Sequence, residues 1–126
     1  MAINLQQTTE LLTQLQCRSN FNIKNLTEYM LPNSKEAFYL HVDNQTPQLI
    51  IRPAYEVFLP DLTALAGIKH KQGYFHSAEM TRFPTRIFKS AKPIHYGLAF
   101  KFTDLEALTL FIHSLMKIIN GEAISH

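Results

Sequence analysis

Between residues 69 and 101 the chain concentrates the side chains that are able to do chemistry. Lys69, Lys71, Arg82, Arg86, Lys89, Lys92 and Lys101 stand there against a single acid, Glu79, a local net charge of +6, while the rest of the chain carries five bases and nine acids. The same interval, with Phe102 just beyond it, holds Tyr74, Phe75, Phe83, Phe88, Tyr96, Phe100 and Phe102, half of all the aromatic residues, together with His70, His76 and His95. Like charges held close together raise the energy of a surface unless a counter-charge screens them, so the asymmetry points to an anionic partner. Cations interleaved with rings suit single-stranded nucleic acid, where Lys and Arg neutralise phosphates and exposed rings stack under bases. Arg82, Arg86, Lys89 and Lys92 are the candidate phosphate ligands and Tyr74 and Tyr96 the candidate stacking rings, with Phe83, His76 and His95 completing the candidate binding set. Phe100 and Phe102 are expected in the core, because a small sheet needs buried rings.

Two other readings use the same residues. An immunity or antitoxin protein covers the acidic surface of a partner with such a basic face, and a buried ring such as Phe83 then anchors it. A metal-free ribonuclease would use His76 and His95 as general acid and base, with a nearby Lys or Arg stabilising the oxyanion. Two histidines are thin evidence for catalysis, so no catalytic residue is assigned and a binding domain is the expectation. Metal ligation has no motif: Cys17 is the one cysteine, and no His-Glu-x-x-His helix occurs. The four glycines, at 67, 73, 97 and 121, make neither a phosphate loop, nor a dinucleotide fingerprint, nor a Gly-x-Ser-x-Gly elbow, and no cofactor is expected.

The elements that must position these residues read as one domain over 1–126, since 126 residues with 46% hydrophobic and 17% charged composition suffice for one core. A lone thiol fits a reducing cytoplasm. The start, MAINLQQTTELL, has no leader pattern, and no apolar run reaches bilayer length, so a cytoplasmic protein without membrane contact is expected. Leu5, Leu12 and Leu15 recur at helical spacing within 4–16. Strands are expected near 26–32, 36–42 and 48–52, separated by the turn-forming PNSK and DNQTP. LPDLTALAG reads as a short helix, RFPTRIF and KPIHYGLAFKF as two short strands around a long loop. Thr103 and Glu106 form a capping-box pattern opening a helix that Gly121 closes. The sum is an α+β domain of order α-β3-α-β2-α, a mainly antiparallel sheet of about five strands with helices on one face, and exposed sheet edges that allow a homodimer.

The segments LIIRP, RFP and IHYG, followed by the capped apolar helix, resemble the YgaC-like family of small bacterial cytoplasmic proteins, which is similar in fold to the TfoX N-terminal domain. The likeness covers roughly 26–118 and implies a secretion-chaperone-like arrangement. Arg52 stands where the family pattern has His, and the matching Phe83, Pro84, His95, Tyr96 and Gly97 bring no catalytic role with them.

Overall fold

The computed structural model describes residues 3–89 and 92–122. Helix α1 (Leu5–Gln14) is opened by a capping box: the Asn4 side chain accepts from the Gln7 amide, and the Gln7 side chain accepts from that of Asn4. Four strands follow, β1 (Arg18–Ile23), β2 (Leu26–Met30), β3 (Ala37–Asp43) and β4 (Thr46–Ile51). A 3₁₀ turn at Pro53–Phe58 leads into the short α2 (Leu59–Thr63). Then come β5 (Ile68–His70), β6 (Phe75–His76), β7 (Thr85–Ile87), the ten-residue β8 (Pro93–Phe102) and helix α3 (Leu105–Ile119). The α+β class and the mainly antiparallel sheet hold, but the sheet has eight strands rather than five and the order is α-β4-α-β4-α.

The extra first strand has a local cause. Lys24 and Asn25 both take positive φ, 53° and 65°, which is the backbone of a tight two-residue hairpin. FNIKNLTEYML therefore doubles back, and Ile23 pairs with Leu26. Asn44 and Gln45, at 50° and 69°, repeat the device between β3 and β4. The expected strands at 26–32, 36–42 and 48–52 are β2, β3 and β4, while β5 and β6 form ahead of RFPTRIF, where no strand is expected. The cap of α3 also differs: Asp104, not Thr103, is the N-cap, and its carboxylate accepts from the Ala107 amide at 2.8 Å.

The strand order is β1-β2-β3-β4-β8-β5. Strand β8 is longer than its neighbours need, so its C-terminal half pairs with β4 and β5 while its N-terminal half pairs with β6 and β7. The helices lie over one face, where Leu12, Leu62, Leu108, Phe111 and Leu115 meet Phe38, Leu49, Leu98 and Phe100. The other face is closed without a helix: Met80 and Phe83, from the strap 77–84, seal Leu26, Tyr39, Ile50 and Ala99. Among the described residues no helix is long and apolar enough to cross a membrane.

Gly97 is where the strap and the sheet come closest. A Cβ there would lie 2.6 Å from Ile50 Cγ2, 2.7 Å from the Ile51 carbonyl oxygen and 3.0 Å from Phe83 Cε2. Gly97→Ala is expected to cost about 1–3 kcal/mol by overpacking, because a backbone atom in a paired strand cannot step aside. Urea denaturation checks this, and an unchanged midpoint would mean that the strap yields freely.

Candidate functional site

The N-terminal half of β8, with β6 and β7, forms a three-stranded ribbon beyond the helix-covered part of the sheet. Side chains alternate along a strand, and directly paired residues share a face. His76 pairs with Tyr96 and Arg86 with Ile94, whereas Phe75 pairs with Gly97 and Thr85 with His95. His76, Tyr96 and Arg86 thus share one face, and His95 lies on the other.

On the first face the rings and cations converge. Tyr74 and Tyr96 meet edge to face, centroids 5.0 Å apart at 79°. The Arg86 guanidinium sits over both, 5.1 Å from the Tyr74 ring and 5.7 Å from that of Tyr96. Glu56, from the 3₁₀ turn, accepts the Tyr74 hydroxyl at 2.9 Å, which raises the pKa of that phenol and fixes the ring. His76 and Phe88 stack almost in parallel, 3.7 Å apart at 7°, with Tyr96 at 6.2 Å from His76 on a similar plane. The Lys89 ammonium is 5.1 Å from the Phe88 centroid. Burial lowers the pKa of His76, the charges of Arg86 and Lys89 act in the same direction, and a hydrogen bond to the Tyr74 backbone opposes them. The neutral imidazole is thereby favoured. Lys92 is exposed at the start of β8.

Arg82, Phe83 and His95, candidates for the same binding set, lie apart from this face. Phe83 is 3% exposed, packed edge to face on Tyr39 at 4.9 Å. Its carbonyl accepts from His95 Nδ1 at 2.7 Å, so that nitrogen carries the proton and the imidazole ties the strap to the ribbon. Arg82 Nε donates to Glu28 Oε2 at 3.1 Å, and its backbone N–H donates to the Tyr39 hydroxyl. Glu28, 2% exposed, also accepts from Tyr39 and from Asn20, each at 2.7 Å. A second group braces the same strap: Arg52 donates to Glu36 at 3.0 Å and to the Arg82 carbonyl at 3.1 Å, and Tyr55 donates to Glu36 at 2.8 Å. These contacts are structural, and half of the Arg82 side chain still meets water.

The division has a chemical consequence. His76 and His95 project from opposite sides of the ribbon, so they cannot serve as acid and base on one phosphate. Among the described residues no three His, Cys, Asp or Glu side chains converge on a point suited to a metal ion. Phe88, Glu56 and the turn residue Gln72 join the face without having been singled out in the sequence. Phe88 carried a signal, since it lies two residues beyond Arg86 and so on the same side of an extended segment. Glu56 carried none, because it arrives from a turn 18 residues before Tyr74. No family model, no curated protein and no solved structure matches the chain, so its resemblance to the YgaC-like family rests on the short segments quoted for it.

Proposed function

We propose that the chain is a non-catalytic binding domain that lays its β6-β7-β8 ribbon against single-stranded nucleic acid. The observation that carries this reading is the gathering of Tyr74, His76, Phe88 and Tyr96 on one face with Arg86 and Lys89 among them. Two tyrosines orient the Arg86 guanidinium, which keeps its planar fork ready for a phosphate at little entropic cost. Lys89 and Lys92 add point charges along the strand, and the rings offer faces on which bases stack without regard to sequence.

Fluorescence anisotropy of labelled single-stranded RNA and of duplex DNA, at two salt concentrations, tests it. Single strands are expected to bind more tightly, with affinity falling steeply as salt rises. Replacing Arg86, Lys89 and Lys92 together with Gln is expected to flatten the logarithmic salt slope by about 2, at about 0.7 per phosphate contact. Flat titrations of both nucleic acids at low salt would remove the reading. An acidic protein partner is the second reading, favoured by Ile87, 58% exposed beside Arg86, where an apolar anchor among cations is useful. Pairing of two chains through the outer edge of β1 is a separate proposal that sedimentation would test; the bulge near Asn20 in that strand works against it.

A further inference from the structure

A groove of about 660 Å³ lies between α3 and the turn that joins α2 to β5. Ala66 and Gly67 form one bank, and Leu105, Glu106, Leu110 and His113 form the other. Glu106, Leu110 and His113 recur four and three residues apart, so they make one stripe along the helix, turned away from the Leu108, Phe111 and Leu115 stripe that packs in the core. Leu110 is 37% exposed, and Glu106 and His113 meet water beside it. Asp104 and Glu106 line the groove and no Lys or Arg does. The Asp104 carboxylate is engaged in the helix cap, whereas Glu106 makes no ion pair among the described residues. The groove is thus apolar with a negative rim. The complementary surface stands on the same chain. Strand β7 is exposed at all three of its positions and pairs on one side only, with β8. It carries Ile87, 58% exposed, with the exposed cations Arg86 and Lys89 on either side of it in the chain. The two surfaces cannot meet within one molecule. Arg86 pairs with Ile94 near the start of β8, and the groove adjoins the other end of that strand at Thr103. The extended backbone from Ile94 to Phe102 holds them about 26 Å apart, at about 3.3 Å per residue.

We infer that the groove beside α3 receives strand β7 of a second copy of this chain, with Ile87 seated against Leu110 and with Arg86 and Lys89 meeting Glu106. An apolar anchor ringed by charge of one sign fits an apolar groove rimmed by the other, and the charges select the orientation. The contact joins two different patches, so a pair of copies keeps a free β7 at one end and a free groove at the other, and association runs head to tail. One anchor and a few exposed charges hold it weakly, which makes it dependent on concentration and sensitive to salt. The inference stands apart from the nucleic-acid reading, since it needs only the charge and the apolar side chain of β7. A docked β7 is withheld from any other anion.

The test is sedimentation velocity of the full chain, freed of nucleic acid, at rising protein concentration and low salt. Species larger than the monomer are expected, and they should diminish as salt rises. Ile87→Ser removes the anchor from the strand, and Glu106→Lys places a cation in the groove; both positions are exposed, so the fold tolerates the changes. Each variant alone is expected to associate about tenfold more weakly, through the lost anchor in one and like-charge repulsion in the other. Mixing the two then separates this contact from any other. The intact strand of the Glu106→Lys chain meets the intact groove of the Ile87→Ser chain, so dimers are expected to return and nothing larger. Recovery on mixing also shows that both variants are folded. A wild type that stays monomeric up to millimolar concentration would overturn the inference. Association undiminished in either variant would overturn it as well and would turn attention to the outer edge of β1. Loss in both variants without recovery on mixing would rule out the head-to-tail contact.

Discussion

Phe83→Ala is expected to be the most damaging single truncation on the helix-free face, costing about 3–5 kcal/mol of stability. The ring is 3% exposed, stands edge to face on Tyr39 at 4.9 Å and lies under the Arg52 guanidinium at 5.3 Å. Its Cε2 also fills the space that Gly97 leaves by having no Cβ. Nothing nearby can collapse into the vacancy, because its floor is paired strand and its lid is the strap itself. The loss should appear in urea denaturation as a lower midpoint with little change of slope. A base-stacking ring would behave in the opposite way, with stability unchanged and RNA affinity reduced. An unaltered midpoint would therefore return Phe83 to the binding face.

The contrast between Phe83 and Phe88 shows where reading the chain in one dimension stops. Both are Phe in the same basic segment, five positions apart, and composition treats them alike. Their roles separate only because the strap 77–84 crosses the sheet before β7 begins, which buries one ring and leaves the other on the ribbon. The alternation of Phe38, Leu40 and the neighbouring positions is local, so β3 was legible. The doubling back at Lys24 was not, since a positive φ at Lys-Asn lacks the glycine that usually announces it. The shared face of His76, Tyr96 and Arg86 depends on the register of three strands, and no spacing along the chain encodes that register. The charge asymmetry was legible as a sum, but its partition was not. Glu28 lies 54 residues before Arg82, so the cation that meets this buried acid looks in sequence like its neighbours.

That pairing gives the second large effect. Glu28 is 2% exposed, and its burial pushes its pKa up, but hydrogen bonds from Asn20, Tyr39 and Arg82, with the charge of Arg82, outweigh burial and hold it below its ordinary value. Removing one partner of a buried pair costs about 3–5 kcal/mol, and because half of the Arg82 side chain meets water the lower end, about 3 kcal/mol, is expected for Arg82→Ala at neutral pH. A carboxylate whose folded pKa is depressed contributes stability that is present above its unfolded pKa, about 4.3, and is lost as pH falls through the folded value. In Arg82→Ala the folded pKa of Glu28 rises toward its unfolded value or past it, so acidification takes less stability from the variant through this group than it takes from the wild type. Once the carboxyl is protonated in both proteins, Arg82 no longer has a charge to meet, and the gap between their stabilities narrows. Denaturation midpoints measured from pH 7 down to pH 3 should therefore converge. A gap that stays constant across that range would mean that Arg82 acts by packing over the strap rather than through the Glu28 charge.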